Sequence, residues 1–305
     1  MKNNNLKGTL ILTVAAIIWG LAFVAQSGAA ALVPPFAFNA LRSIIGAVVL
    51  YAFWLISGKN TPKNFFPENK ADKKSYYICA LVCGICLSVA INFQQFGIAA
   101  YPKGVASEAR AGFITALYVI LVPIFSIFLK KKVGFPVLLG VLIAISGIYL
   151  LCFSKGVSGI YIGDFLIFLC AISFALHIMA VDRFVGLTGG VKLSIMQFLV
   201  AAVVSALLAI IFEFNEILLS NILAAAPQIL YLGIMSSGVA YTLQIVGQKY
   251  AEPTVASITM SLESVFAALG GWLISGNSLS TKELIGCVLV FAAIVVAQMP
   301  QKAKR

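Results

Sequence analysis

Charge is what this sequence has least of. Of 305 residues only 10% are Asp, Glu, Lys or Arg; ten are acids, and there is one histidine. A soluble domain carries about 25% charged and about 45–50% apolar residues. Here 61% are hydrophobic and the mean hydropathy is +1.04, so a soluble globule is excluded: its few charges could not cover so much apolar surface. Disorder, which needs low hydrophobicity and high net charge, is excluded with it. The 25 glycines follow no three-residue period, which rules out collagen. Catalytic signatures are missing too. There is no Walker A run to power an ATP-driven pump. There is no H-E-x-x-H and no G-x-S-x-G elbow, and a serine nucleophile would have only His177 as its base. No filter loop or charge ring points to a channel. No cofactor, metal or enzymatic role is expected.

What is present is length of apolar run. A membrane-crossing helix needs about 20 mostly apolar residues. Ten runs qualify, at 7–27, 35–56, 76–97, 104–128, 135–153, 161–181, 192–212, 226–247, 254–275 and 283–299. None shows the alternating ten-residue pattern of a β-barrel. The first is too long for a cleaved signal, and no A-x-A-like site clearly ends it. All six cysteines lie inside the runs. Cys83 and Cys86, with Cys79 one turn earlier, read as small packing residues rather than a metal or redox site.

The net charge of +11 does not point to nucleic acid, because the cations sit in short clusters between the runs. With the N-terminus inside, the inner segments hold Lys2, Lys7, Lys59, Lys63, Lys70, Lys73, Lys74, Lys130, Lys131, Lys132, Arg183, Lys192, Lys249, Lys302, Lys304 and Arg305. The outer segments hold only Lys103, Lys155 and Lys282, and Arg42 and Arg110 fall within runs. Sixteen against three is the positive-inside pattern with both termini cytoplasmic. It also supports ten spans, since one missed span would scramble the alternation.

The halves resemble each other in order. NALRSIIGAVVL (39–50) aligns with SIMQFLVAAVVS (194–205), VAINFQQFG (89–97) with VAYTLQIVG (239–247), and VAS (105–107) with VAS (255–257). LLGVLIAISG (138–147) aligns with LIGCVLVFAA (284–293). Two repeats of five helices follow, 1–154 and 155–305. Five is odd, so the second repeat is inverted, the arrangement of many secondary transporters with midplane substrate sites. Exchanging the conformations of inverted halves turns an inward-open cavity into an outward-open one.

The motifs carry a resemblance. AAIIWGLAFV (15–24), AGFITALYVILVP (111–123) and SLESVFAALGGWLISGNSLSTKELIGCVLVFAAIVVAQ (261–298) resemble the first, fourth and closing helices of the EamA-type group of the drug/metabolite transporter superfamily. The similarity covers about 8–300. It implies an all-α fold of ten transmembrane helices and export or exchange of small metabolites, amino acids or drugs through a central cavity. The chain departs from the pattern at Asn277, where similar proteins often carry Glu. Lys130, Lys131 and Lys132 follow the fourth helix without an acid.

Ionisable groups in a membrane cost about 2.5–3.5 kcal/mol each at a helix centre, so those here are candidates for binding. Glu263, near mid-depth of its run, suits a proton or a substrate ammonium, or else a hydrogen bond in packing. Arg42 lies about 10 Å below its helix end. Glu108 and Arg110 sit at similar depth, so Arg42 can pair with Glu108 or with a substrate carboxylate or phosphate; the plain alternative is a structural ion pair. Asn92, Gln94 and Gln95, with Gln244 as the repeat mate of Gln94, offer amides to a polar solute or to neighbouring helices. Trp19 can stack on a substrate. His177 is the one neutral-range titrating side chain, and a lone helix histidine commonly serves packing. Pro123 can kink its helix.

The resulting expectation is a monomeric, multi-pass carrier of the cell membrane, a bacterial inner membrane, moving an amino acid or related organic solute by alternating access. Its partners are the small-molecule substrate, the lipid bilayer and a proton as candidate coupling ion; none is a nucleic acid. Drug or toxic-compound efflux is the alternative, with a channel behind it.

Overall fold

The computed structural model describes residues 2–57, 65–66, 69–102, 107–131, 133–153, 160–275, 280–297 and 299. Asn277 and the loop cations Lys59, Lys63, Lys103, Lys132, Lys155, Lys302, Lys304 and Arg305 lie outside them. The helices are α1 (Lys2–Ala30), α2 (Pro35–Ser57), α3 (Lys70–Ala99), α4 (Ser107–Thr115), α5 (Tyr118–Phe128), α6 (Phe135–Phe153) and α7 (Ile162–Thr188). After these come α8 (Gly190–Phe212), α9 (Leu219–Ala224), α10 (Ala226–Tyr231), a π-helical segment (Leu232–Ala240), α11 (Tyr241–Gln248), α12 (Pro253–Met260), α13 (Leu262–Ser275) and α14 (Thr281–Ala297). Among the described residues there is no strand.

Among the described residues seven helical stretches are long and apolar enough to cross a membrane: Leu6–Ala30, Pro35–Ile56, Asp72–Ala99, Arg110–Phe128, Ile162–Leu187, Gly190–Phe212 and Ala226–Gln248. Phe135–Leu150 and Leu284–Ala297 are shorter apolar helices. The chain is a multi-pass membrane protein. Its exposed large side chains, such as Leu10, Val48, Leu142, Ile210 and Val288, form the apolar exterior that a bilayer requires.

Two of the expected spans are interrupted. Between α4 and α5 the backbone tightens at Ala116–Leu117, where Leu117, Val119 and Ile120 donate to carbonyls three residues back rather than four. The irregularity therefore sits two turns before Pro123, which lies inside α5, and not at the proline. Between α12 and α13 the break is at Ser261. There the Ser257, Thr259, Ser261 and Ser264 hydroxyls all donate to carbonyls three or four residues earlier. Such back-bonding competes with the helix ladder and bends it.

Side-chain bridges define the two ends of the bundle. At one end Lys7 of α1 meets Tyr250 after α11, and Lys131 pairs with Asp182 of α7 at 2.5 Å. At the other, Ser27 of α1 bonds Ser107 and Glu108 of α4, and Arg110 pairs with Asp164 of α7. At that same end Glu213 accepts the free N–H groups of Phe36 and Ala37 at the start of α2. Proline at the head of α2 lacks an N–H, and the carboxylate caps the next two donors.

α1 threads the centre and lies against α13, α11, α12 and α4. Small residues make this possible. A Cβ on Gly20 would stand 2.4 Å from Phe266 Cβ, so only glycine lets α1 and α13 cross this closely. Gly46 of α2 meets Ser237 of the π-helical segment in the same way, at 2.7 Å.

Candidate functional site

The central cavity gathers side chains from nearly every element around α1. Trp19, Ala22, Phe23 and Gln26 come from α1, Arg42 from α2 and Gln94 from α3. Thr115 and Tyr118 flank the α4–α5 break, and Phe174 and Ile178 come from α7. Ser236 of the π-helical segment, Tyr241 and Gln244 of α11, Met260 and Glu263 complete it. The lining encloses about 440 Å³ of space not filled by atoms, mouth included. The lining combines aromatic and aliphatic side chains with amides, hydroxyls, a guanidinium and a carboxylate.

Arg42 is the largest of the fully buried side chains, 1% exposed. Its guanidinium stands beside the Tyr241 hydroxyl, yet its Nε and Nη1 have no hydrogen-bond partner among the described residues. The ion pairs among the described residues, Arg110–Asp164 and Lys131–Asp182, do not involve it. Glu263 is 5% exposed and accepts one hydrogen bond at Oε1, from the Tyr118 hydroxyl at 2.9 Å. Tyr118 is the first residue of α5 and Glu263 the second of α13, so the two helix breaks meet at this bond. Gln94 donates to Thr115. Gln244 donates to Gln248, which donates to the Ile178 carbonyl. Trp19 Nε1, Gln26 Oε1 and Gln244 Oε1 also lack partners. Buried polar groups are normally satisfied. A set of unpaired donors and acceptors around one cavity is the lining a polar solute would complete.

Tyr241 holds the aromatic wall together. Its ring meets Trp19 at 4.8 Å and 65°, Phe198 at 5.3 Å and 80°, and His177 at 6.2 Å. Edge-to-face contacts of this kind are favoured by the ring quadrupoles. Trp19 is thus fixed at the cavity by a tyrosine whose hydroxyl faces Arg42.

Of the residues singled out by sequence, Glu263, Arg42, Gln94, Trp19 and Gln244 come together here. The other five lie elsewhere. Asn92 is in a separate buried network with Asn39, Ser88 and Ser205. Gln95 points to the Gln26 carbonyl of α1. His177 bonds Gln197, 3.0 Å away, and reaches the cavity only through the Tyr241 ring. Glu108 accepts from Ser27 and Ser107, not from Arg42. Arg110 forks onto Asp164, Nε to Oδ1 at 3.0 Å and Nη2 to Oδ2 at 2.6 Å, with Tyr101 donating to the same carboxylate. The reason is angular. Glu108 and Arg110 are two apart on α4, so their side chains leave it in different directions.

Sequence reasoning missed Tyr118, Tyr241, Gln26, Thr115 and Ser236 in the cavity, and Asp164 as the partner of Arg110. Two signals were available: Thr115 and Tyr118, like Tyr241 and Gln244, are three apart and so share a helix face.

The EamA-like transporter family matches residues 6–153 and again 161–299. An uncharacterized transporter of Archaeoglobus fulgidus is 28% identical over 94% of this chain and 84% of its own length. The uncharacterized transporter YoaV of Bacillus subtilis is 23% identical over 91% and 92%. A solved crystal structure aligns with a TM-score of 0.75 over 95% of this chain and 96% of its own, at 23% identity, which shows a shared fold.

Proposed function

The chain belongs to the EamA-like transporter family, and from that premise we propose that it is a secondary transporter carrying a small polar metabolite, an amino acid or related organic solute, by alternating access. The observation that carries the reading is the pair Arg42 and Glu263. One comes from each matched half, both are buried in one cavity, and neither is in an ion pair among the described residues. An ionisable acid and a guanidinium held without counter-ions are costly in a membrane and complementary to a solute carrying both signs. The apolar members of the lining, Trp19, Phe23, Phe174, Ile178 and Met260, would accept that solute's side chain.

Ten spans in two inverted repeats, 1–154 and 155–305, are part of the same proposal. The double family match supports it. So does the packing: α3 lies on α7 as α11 lies on α1, α5 and α4 pack on α7 as α13 and α12 pack on α1, and α6–α14 and α2–α8 pair across the halves. In the proposed orientation the Lys7–Tyr250 end faces the cytoplasm of a bacterial cell, because the described cations Lys73, Lys74, Lys130, Lys131, Arg183, Lys192 and Lys249 gather there and the rule for cytoplasmic loops follows Lys and Arg.

Counterflow in proteoliposomes tests the reading, using a panel of labelled amino acids, organic acids and amines. Uptake stimulated by the same unlabelled solute inside is the expected result for a zwitterion. Chemical conversion of a panel member, or conductance without counterflow, would overturn it.

A further inference from the structure

A second cavity opens at the Lys7–Tyr250 end of the bundle, lined by Ser126, Lys131, Val133, Val137, Asp182, Glu252, Pro253 and Thr254, with about 730 Å³ not filled by atoms, mouth included. It is roomier than the central one. Its residues come from α5, α7 and α12 or their ends, and from the start of α6. The first three also line the central cavity.

The register of those helices is informative. On α5 the central cavity takes Tyr118 and the end cavity takes Ser126, with Val122 between them at four-residue steps. On α7 the stripe is Phe174, Ile178, Asp182, again at four-residue steps. On α12 it runs Met260, Ser257, Thr254 at three-residue steps. Residues at these spacings share a helix face, so three facing stripes run from one cavity to the other. At about 1.5 Å per residue the separation is roughly 6–12 Å. Between the two linings lie Val122, Met179 and Ser257, all buried. The Ser126 hydroxyl reaches Met179 Sδ at 3.6 Å across the narrowing.

The opposite end is closed differently. The Arg110–Asp164 fork is 12% and 14% exposed at its side chains, its guanidinium lies over the Tyr161 ring at 4.9 Å, and Tyr101 bonds the same carboxylate. The Lys131–Asp182 pair is a single contact, 45% and 21% exposed. Lys131 is brought to it by Lys130, whose φ of 58° reverses the chain at the end of α5 in the manner of a left-handed helix cap.

We propose that the α5–α7–α12 groove is the solute's route between the central site and the Lys131 face, that Val122 and Met179 are its gate, and that the Lys131–Asp182–Glu252 cavity is its vestibule. This rests on the transport reading of the central cavity, whereas its test needs no substrate. A methionine suits a gate. Its unbranched, soft side chain changes rotamer with little loss of packing. The step across the gate is short, so a modest separation of α5 from α7 joins the two cavities.

The experiment is thiol accessibility in membrane vesicles of known orientation. The six native cysteines are replaced, and a single reporter is placed at Ala22→Cys in the central cavity or at Thr254→Cys in the vestibule. A membrane-impermeant trimethylammonium methanethiosulfonate is added from either face. Thr254→Cys is expected to react from the Lys131 face alone. Ala22→Cys is expected to react slowly, and roughly tenfold faster or more from that face once Met179→Ala removes the gate, a lowering of about 1.4 kcal/mol in the barrier. The rate from the Arg110 face stays unchanged. Val122→Ala gives the same direction and serves if Met179→Ala does not fold, with the Thr254→Cys rate reporting an intact vestibule. An unchanged Ala22→Cys rate in a folded gate variant, or acceleration from the Arg110 face, overturns the route. Silent counterflow with the expected accessibility would instead count against the substrate reading alone.

Discussion

The Tyr118 hydroxyl donates to Glu263 Oε1 at 2.9 Å, joining the second segments of two broken helices 145 residues apart. Each partner stands just past a break in its own helix, and both line the central cavity. Broken helices at mid-membrane offer backbone and side-chain groups that a continuous helix would use up internally. The bond therefore ties the cavity lining of one half to that of the other.

Tyr118→Phe keeps the ring and loses this bond. A hydrogen bond to a charged group contributes about 1.5–3 kcal/mol, so counterflow at limiting solute should fall roughly 10- to 100-fold. Glu263→Gln should fall at least as far for a solute with an ammonium group and little for one without. Equal losses for both solutes would show that Glu263 does not read charge.

Arg42 predicts the complementary pattern. Arg42→Gln should raise the half-saturating concentration of a carboxylate-bearing solute by about 10- to 100-fold, on the same hydrogen-bond scale. The solute's methyl ester or amide should be almost indifferent to the change. Competition assays with acid and ester against wild type and variant decide this.

The Arg110–Asp164 fork should act as a closure of its face. Arg110→Ala leaves a largely buried carboxylate without its cation, an arrangement costing about 3–5 kcal/mol. Thiol labelling of Ala22→Cys from that face should rise. The exchanged pair Arg110→Asp with Asp164→Arg should recover part of the closure, and a double-mutant cycle measures the coupling.

Glu213 predicts a purely structural loss. Glu213→Ala leaves the Phe36 and Ala37 N–H groups without their acceptor at the head of α2. An unmet buried donor costs about 1–3 kcal/mol, so the melting temperature in detergent should drop. Solute selectivity in whatever protein remains folded should stay as in wild type, because Glu213 does not line the cavity.

Membrane class, helical composition and family were legible in the sequence because each depends on sums over many residues. Sixty-one per cent hydrophobic residues leave no soluble solution. Runs of about 20 apolar residues leave helices as the means of satisfying the backbone, and the motif AAIIWGLAFV (15–24) identifies the group. The presence of Arg42 and Glu263 inside apolar runs was equally visible, since their cost there is a property of the residue and its depth. The tertiary structure alone decided partners. Whether Glu108 meets Arg42 or Ser27, whether Gln94 or its neighbour Gln95 faces the cavity, and whether Tyr241 carries Trp19 depend on helix rotation, which packing sets to within a fraction of a turn. The helix breaks were of the same kind. Ser257, Thr259, Ser261 and Ser264 can each bond a carbonyl in any helix, and only their setting against α1, α5 and α14 made that bonding end one helix and begin another.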